Sequence, residues 1–232
     1  MRKLCSFTAA LSFLLIVAGC ASTSSVKQID RLESVGESPK ILVMTPDVKY
    51  YLLTAGGVPQ PHAEWTEAAR TNFSNSLNIY ASKRGIEIIT MDEEDQLTDT
   101  EISYQKLYSA VGSSILAHHF GVLKLPTKQG TFDWTLGPGV NVIGNRYSAD
   151  YALFTFYRDY QASGGRLAFS FFAALVGVGI VTGGEVGFAS LVDLKTGDIV
   201  WFNQVTAGVG ELREEDGAMA TVNLLFKDMP EN

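Results

Sequence analysis

The clearest pattern of apolar and polar positions, two apolar runs separated by a polar turn, lies near the carboxyl end of the chain. Residues 191–194 (LVDL) and 199–202 (IVWF) are rich in β-branched and aromatic side chains, and the polar residues 195–198 (KTGD) separate them. A hairpin loop of this length needs a residue with positive φ, which Gly197 can supply. The pattern predicts two antiparallel strands joined by a tight turn.

A strand, a helix and a second strand are predicted earlier in the chain. Residues 41–44 (ILVM) form an apolar run that ends before Pro46, and residues 86–89 (IEII) form another. Between them, ahead of Gly85 as a helix terminator, apolar side chains recur at three- and four-residue spacing: Trp65, Ala69, Phe73, Leu77 and Tyr80. A strand, a helix and a strand with short joints predict a βαβ unit.

The remaining pattern predicts two more helices and one long strand. Apolar residues at helical spacing occur over 104–116 and 211–229, whereas residues 150–160 alternate as a strand does. We therefore predict one α/β (α+β) domain over residues 41–232. It would contain a three-layer-like βαβ unit, an antiparallel meander or hairpin and a C-terminal helix, with one mixed sheet and helices packed on it.

The first 20 residues have the pattern of an export signal. Arg2 and Lys3 precede an apolar core that is too short for an ordinary membrane span, and small residues at 17–19 lead into Cys20. Small residues before a lone Cys resemble the lipobox of bacterial lipoproteins, in which that Cys becomes the acylated N-terminus. The resemblance implies a signal peptide over residues 1–19 and lipidation of Cys20. An ordinary secretory signal is the alternative.

The residues after Cys20 bear on where the protein resides. Because Ala21 rather than Asp follows the Cys, the lipoprotein resemblance implies the outer membrane, with the domain facing the periplasm. Residues 20–40 are polar and Ser-rich, which predicts a flexible tether that reaches roughly 25 Å from the membrane. Two or three acyl chains, at about 0.8 kcal/mol per buried methylene, would anchor it stably.

Charge and cysteine content narrow the classes of partner. The net charge is −7 and no basic block occurs, which argues against nucleic acid and against electrostatic docking on anionic lipid. The two cysteines, Cys5 and Cys20, both precede the predicted domain, so it can hold neither a disulfide nor a Cys-based metal site. With 232 residues and 46% apolar content, the chain suffices for one buried core.

No motif in the sequence indicates a reaction. The glycines at 177, 179, 183 and 184 have the wrong spacing for a nucleotide fingerprint. The acidic residues 92–95 lack the alternation and central Gly of a calcium loop. His118 and His119 are adjacent, so on a helix they point about 100° apart. We predict a non-enzymatic protein with no catalytic residue, no cofactor and no metal.

Residues 167–181 (LAFSFFAALVGVGIV) contain one polar side chain, and three interpretations of them remain open. They could form a helix packed on the sheet, or a helix or loop that enters the membrane interface or meets another subunit. They could also form a membrane-inserting hairpin in an oligomer, although they lack the expected alternation. The candidate contact residues are Phe169, Phe171, Phe172 and Leu175.

The order of these features resembles a group of bacterial envelope lipoproteins. A lipobox, a tether, a βαβ unit, the hairpin 192–201 (VDLKTGDIVW) and a closing helix are similar to the curli-secretion channel lipoprotein and the penicillin-binding-protein activator lipoprotein. The motif-like part is Asp193, Thr196, Gly197 and Trp201. The resemblance implies non-enzymatic work, either binding of another envelope protein or assembly of copies into a ring.

Our leading hypothesis is an outer-membrane lipoprotein whose periplasmic domain binds an envelope protein partner or self-associates as a homo-oligomer. Its work would be envelope assembly or transport. The alternative is a subunit of an oligomeric secretion or pore-forming ring in which residues 167–181 associate with the membrane. A periplasmic hydrolase is the third hypothesis, and it would require carboxylates, His and Arg in one pocket.

Overall fold

A mixed sheet of eight strands organises the parts of the chain that the structure, a computed structural model, describes: residues 22–34, 38–91, 97–128, 130–206 and 210–231. The strands are β1 (Ser22–Lys27), β2 (Ile41–Val43), β3 (Asp47–Leu53), β4 (Pro59–Pro61), β5 (Ile88–Thr90), β6 (Tyr151–Ala162), β7 (Gly183–Asp193) and β8 (Ile199–Thr206). Their order is β1–β8–β7–β6–β2–β5, and β3 lies between β6 and β4.

The long strand β6 joins a parallel and an antiparallel part of the sheet. Its first residues pair in parallel with β2, which pairs in parallel with β5, and its last residues pair in parallel with β3. On its other side, β7, β8 and β1 follow as antiparallel neighbours. All the other strands are therefore placed, directly or through a neighbour, by β6.

Five α-helices lie in the described residues: α1 (Ala63–Arg84), α2 (Asp99–Ile115), α3 (Asn141–Tyr147), α4 (Gly164–Leu175) and α5 (Glu215–Leu225). A π-helical turn, Leu116–Phe120, extends α2, and short 3-10 turns occupy Pro126–Lys128 and Pro138–Val140. Buried residues of α1 and α5 pack on one face of the sheet, and those of α2 and α3 pack on the other. The predicted α/β fold with one mixed sheet and a C-terminal helix is confirmed.

The apolar runs of the sequence correspond to strands that are covered on both faces. In and after β2, Ile41 and Val43 contribute to the core beneath α1 and α5, whereas Leu42 and Met44 contribute to the core beneath α2 and α3. A strand buried on both faces needs apolar residues at successive positions, which explains the uninterrupted run. The predicted βαβ unit is present as β2, α1 and β5.

The predicted hairpin is formed by β7 and β8. One carboxylate oxygen of Asp193 accepts hydrogen bonds from the backbone N–H groups of Lys195 and Thr196, at 2.7 and 3.0 Å. Gly197 adopts φ +85°, and a Cβ at that position would lie 2.2 Å from the carbonyl oxygen of Gly137. The turn therefore requires glycine both for its conformation and for the close approach of a second loop.

The structure corrects the predicted tether over residues 20–40, since Ser22–Lys27 form strand β1 and pair with β8 along their whole length. Polar side chains suit an edge strand, whose outer side meets water. Strand β3 was also not expected, because only Val48 and Tyr50 mark its buried face before the pattern ends. The predicted signal peptide, Cys20 and the acidic residues 92–95 lie outside the described residues.

A buried side chain links β1, β8 and the end of α5. The side-chain amide of Asn203, which is fully buried, donates to the carbonyl oxygens of Leu224 and Leu225, both at 2.8 Å. Its oxygen accepts from the hydroxyl of Thr23 at 2.8 Å. The last carbonyls of a helix lack partners within the helix, so Asn203 satisfies two of them and ties α5 to the sheet.

We expect Asn203→Ala to lower the free energy of unfolding by about 1–3 kcal/mol, because the carbonyl oxygen of Leu225 loses its donor. The carbonyl oxygen of Leu224 also loses the amide of Asn203 but still accepts the backbone N–H of Lys227. Urea unfolding followed by tryptophan fluorescence measures the loss. The matched control is Asn78→Ala on the exposed side of α1, which should change stability by less than about 0.5 kcal/mol. Equal losses in the two variants would show that Asn203 does not have this role.

Candidate interaction surface

The predicted contact residues lie on α4, a helix that projects from the sheet. Phe169, Phe171, Phe172 and Leu175 are 52, 62, 65 and 69% exposed, and Ala173 is the buried residue of α4. The structure thus brings all four onto one helix and leaves them in solvent. Whether they contact a membrane or a protein stays a prediction.

The base of α4 is held by one arginine and one serine. The hydroxyl oxygen of Ser163 accepts the backbone N–H of Arg166 at 3.2 Å and caps the helix. The guanidinium of Arg166 donates to the carbonyl oxygen of Val181 at 2.9 Å and to that of Ala55 at 3.4 Å. These contacts connect the start of α4 with Val181, just before β7, and with the turn after β3. The first turn of the helix is therefore fixed relative to the sheet.

Apolar exposure concentrates in this part of the molecule. Among the described residues, eight of the fourteen large hydrophobic side chains that are exposed belong to 167–181. The interpretation of this segment as a core helix packed on the sheet is therefore wrong. Where the helix starts, β6 retains only β3 and β7 as paired neighbours, since β2 pairs with it no further than Leu153, so little of the sheet is left for the helix to cover.

The exposed side chains of α4 and of Val176, the residue that follows it, form two adjacent rows. Leu167, Phe171 and Leu175 follow one another at four-residue spacing, and Phe169, Phe172 and Val176 form the second row. At 100° per residue, the two rows span about 200° of the helix circumference. A helix that is apolar over so wide an arc fits an environment that surrounds it rather than a single flat contact. No helix in the described parts of the chain is long and apolar enough to span a membrane.

The start of β1 lies at the same end of the sheet as α4. Ser22 pairs with Thr206, which pairs with Val186, three residues from the first residue of β7. At about 3.3 Å per residue, this places Ser22 roughly 10 Å along the strands from the point where β7 begins. Cys20 precedes Ser22 by two residues, which span at most about 7 Å.

A group of titratable side chains lies just below α4, on the face that α1 and α5 cover. Three adjacent strands each supply one residue of the group: Tyr50 of β3 pairs with Asp159 of β6, and Asp159 pairs with Glu185 of β7. We call residues 157–161 of β6 and 183–187 of β7 the outer arm. Asp159 is 1% exposed, and its Oδ1 accepts the side-chain amide of Gln161 at 2.8 Å.

Two tyrosine hydroxyls and an ion pair complete this group. The hydroxyl of Tyr157 donates to Glu185 at 3.0 Å, and the hydroxyl of Tyr50 donates to Glu211 at 2.8 Å. Arg213 donates to both carboxylate oxygens of Glu211, at 2.8 and 2.6 Å. The Arg213 guanidinium also packs 4.4 Å from the ring centre of Trp65, which closes the group on the side of α1.

The environment shifts the pKa values of these groups in opposite directions. Burial, with a further contribution from the Glu185 carboxylate, raises the pKa of Asp159 to about 6. Burial likewise raises the pKa values of Tyr50 and Tyr157 well above the usual range, so both keep their protons. The hydrogen bonds from Arg213 lower the pKa of Glu211. Two neutral tyrosines thus flank a carboxyl whose pKa is about 6.

Comparison with known proteins gives little to set beside this geometry. No protein-family model matches the chain, and no curated protein matches it. Among solved structures, two PelC dodecamers from Paraburkholderia phytofirmans, one of them a single-residue variant, are similar at 10% identity with TM-scores of 0.41 and 0.40. The matches cover 90 and 91% of this chain and 98 and 99% of the PelC chains. At that level a likeness carries no functional argument.

The sequence did not lead us to the Asp159 group, although one signal was available. Tyr151, Leu153 and Tyr157 mark the face of β6 that points toward α1 and α5, and Asp159 continues in phase with them. A carboxylate at a position that alternation assigns to the buried face of a strand is unusual, and it could have indicated this group. Tyr50, Glu185 and Glu211 come from distant segments, and their approach depends on the strand register.

The two adjacent histidines considered in the sequence do not converge on a site. His118 interacts through Nδ1 with the carbonyl oxygen of Leu123 at 2.6 Å, and the ring of His119 packs edge-on against Phe132. Burial and the nearby Lys124 lower the pKa of His119. Within the residues that the structure describes, no cluster of three or more His, Cys, Asp or Glu could hold a metal ion.

We expect the domain to fold without α4. Replacing residues 162–182 with Asn-Gly would join Gln161 to Gly183, which are already opposite each other, through a two-residue turn. Because Ala173 is the buried residue of α4, the free energy of unfolding should change by about 1 kcal/mol or less. Phe226→Ala, which empties a fully buried site, should cost about 3–5 kcal/mol in the same urea titration. A loss of that size on removing α4 would contradict the expectation.

Proposed function

We propose that this chain is a non-enzymatic outer-membrane lipoprotein, anchored through Cys20 and facing the periplasm, that serves envelope assembly or transport. We propose further that α4 is its second contact with the membrane. The observation that carries the proposal is the position of α4 and the start of β1 at the same end of the sheet. A lipid on Cys20 and the apolar rows of α4 would then meet one surface.

The short distance between Cys20 and β1 gives the proposal a mechanical consequence. Two residues, at most about 7 Å, would separate the acyl chains from a strand that is hydrogen-bonded into the sheet. The domain would therefore lie against the membrane in a fixed orientation rather than move on a long tether. In that orientation α4 is presented to the same leaflet without any rearrangement.

The energetics favour an environment that removes α4 from water. Full burial of a Leu or Phe side chain is worth about 1.5–3 kcal/mol, and six exposed side chains of this kind or of valine line the two rows. Entry of α4 into the acyl boundary of one leaflet would supply apolar surroundings for both rows. The charged residue of α4, Arg166, is occupied at the base of the helix and does not interrupt the rows.

A contact with an envelope protein or with a second copy of the chain is the second candidate function. It is favoured by the three phenylalanines of α4, because aromatic side chains are enriched at the centres of protein interfaces. In this case the lipid alone would hold the protein at the membrane. The two candidates predict different behaviour in the absence of lipid, which makes them separable.

Lipidation can be tested through the two cysteines. In a bacterial host grown with labelled palmitate, the wild-type protein should incorporate the label and fractionate with the outer membrane. Cys20→Ser should lose the label, whereas Cys5→Ser, which lies within the predicted signal peptide, should retain it. Label that persists in Cys20→Ser would overturn the proposed anchor.

The role of α4 can be tested on a chain that begins at Ala21 and therefore carries no lipid. It should float with vesicles of phosphatidylethanolamine and phosphatidylglycerol. Phe171→Ser with Leu175→Ser should reduce the bound fraction about 10-fold or more, because two apolar side chains no longer enter the lipid. The matched control, Val122→Ser with Leu123→Ser, changes side chains that are 95 and 68% exposed outside α4, and it should float as the wild type does.

Two outcomes would count against the membrane contact. Equal flotation of the Phe171/Leu175 variant and the wild type would exclude α4 as the lipid-binding element. In the second outcome, the wild type fails to bind vesicles and forms a discrete oligomer, measured by light scattering, that the Phe171/Leu175 variant does not form. That result would show that α4 contacts another subunit rather than the membrane.

A further inference from the structure

Asp159 is a buried carboxyl that lacks part of its expected hydrogen bonding. It is 1% exposed, and its Oδ2 has no hydrogen-bond partner among the residues that the structure describes. It also faces Glu185 directly across the β6–β7 pair. Like charges directly opposite each other on a sheet repel, and a buried carboxylate without full hydrogen bonding is costly. The arrangement is therefore unfavourable for an ionised Asp159.

The neighbouring tyrosines relieve little of this deficit, although the Tyr50 hydroxyl lies close enough to lower the pKa of Asp159 as a minor influence. Each hydroxyl carries one proton, and Tyr50 gives its proton to Glu211 while Tyr157 gives its proton to Glu185. Both hydroxyl oxygens retain lone pairs and can accept. A neutral Asp159, which carries a proton of its own, suits such surroundings better than an ionised one does.

The charged and titratable groups around Asp159 come from every element that packs on it. They are Tyr50 of β3, Tyr157 of β6, Glu185 of β7, and Glu211 and Arg213 of the segment before α5. Arg213 is the one positively charged residue in this set, and its guanidinium donates hydrogen bonds to the two carboxylate oxygens of Glu211. Asp159 is thus left beside the negative charge of Glu185 without a cation of its own.

The site is closed to anything larger than a proton, given the 1% exposure of Asp159. We infer that Asp159 is a proton-binding site that couples the rigidity of the outer arm, and so the base of α4, to the acidity of the surrounding solution. Protonation removes the repulsion between Asp159 and Glu185, and ionisation restores it. Asp159 lies four residues before Ser163, the cap of α4, and Glu185 lies two residues after Gly183, where β7 begins. Repulsion between the two carboxylates would therefore weaken the β6–β7 pairs next to the base of α4.

The sign of the effect follows from the difference between the folded and unfolded chain. The pKa of Asp159 is about 6 in the folded protein, against 3.8 for an ordinary Asp. The folded state therefore binds this proton more readily, and the resulting stability is gained as the pH falls through about 6 and lost as it rises. Between pH 5.0 and 7.5 the Asp159 contribution to the unfolding constant amounts to about a 10-fold increase.

The inference is tested by measuring urea unfolding of the whole chain, in a non-ionic detergent, at pH 5.0 and 7.5. Asp159→Asn mimics the protonated carboxyl, so its pH dependence should lack the 10-fold factor of the wild type. The matched control is Glu67→Gln on the exposed side of α1, which should keep the wild-type dependence. Contributions from other groups, such as His119, are common to all variants and cancel in the comparison. An equal pH dependence in Asp159→Asn and wild type would overturn the inference.

A second variant and a local measurement guard against a general folding defect in Asp159→Asn. Glu185→Gln keeps an acceptor for Tyr157 and removes the opposing charge, so it should reduce the pH dependence partway. Hydrogen exchange, corrected for the intrinsic rate, should show greater protection of residues 157–161 and 183–187 at pH 5.0 than at pH 7.5 in the wild type. Unchanged protection there would refute the coupling, whatever α4 contacts.

Discussion

Pairing between β6 and β7 sets the positions of the other functional parts of this protein. The two strands match from Tyr151 opposite Asp193 to Gln161 opposite Gly183, which is longer than any other pairing in the described sheet. Their inner half lies between two helical layers and supplies the core. Their outer half carries the Asp159 group and α4. A register shift of one residue would move every side chain on these strands to the opposite face, so core, carboxyls and helix are specified together.

The order of the strands also ties the N-terminus to this arm. Because β1 is antiparallel to β8 and β8 to β7, the first residue of β1 lies near the outer arm rather than at the far end of the sheet. The orientation that we propose at the membrane follows from this antiparallel order. An N-terminal strand running the other way would have placed Cys20 and α4 at opposite ends of the sheet.

Two features, one on the outer arm and one on the helix α4 that projects from it, are unfavourable for a domain that works alone in water. An apolar helix is exposed, and a buried carboxyl lacks a hydrogen-bond partner. Several other buried groups are closely paired, as the carbonyl oxygens of α5 are by Asn203 and the start of α2 is by the Thr98–Glu101 capping box. The buried indole N–H groups of Trp134 and Trp201 also lack partners among the described residues. Asp159 differs from these two indoles because it can carry a full charge, so its missing partner is more costly. The exposed helix and the buried carboxyl lie next to each other, which supports our proposal that Asp159 influences the base of the helix that makes the contact.

The sequence by itself determined the elements whose signal is local. The spacing from Trp65 to Tyr80, the Gly85 terminator, the Gly197 turn and the two-sided apolar run of β2 all depend on near neighbours, and each led to the observed element. Strand β1 could not be found in this way, because its polar residues become a strand only through pairing with β8. The exposure of α4 could not be predicted either, because an apolar helix has the same sequence pattern whether or not a sheet covers it. The Asp159 group was decided by tertiary structure alone, because its members are brought together by the register of β3, β6 and β7 across more than a hundred residues of chain.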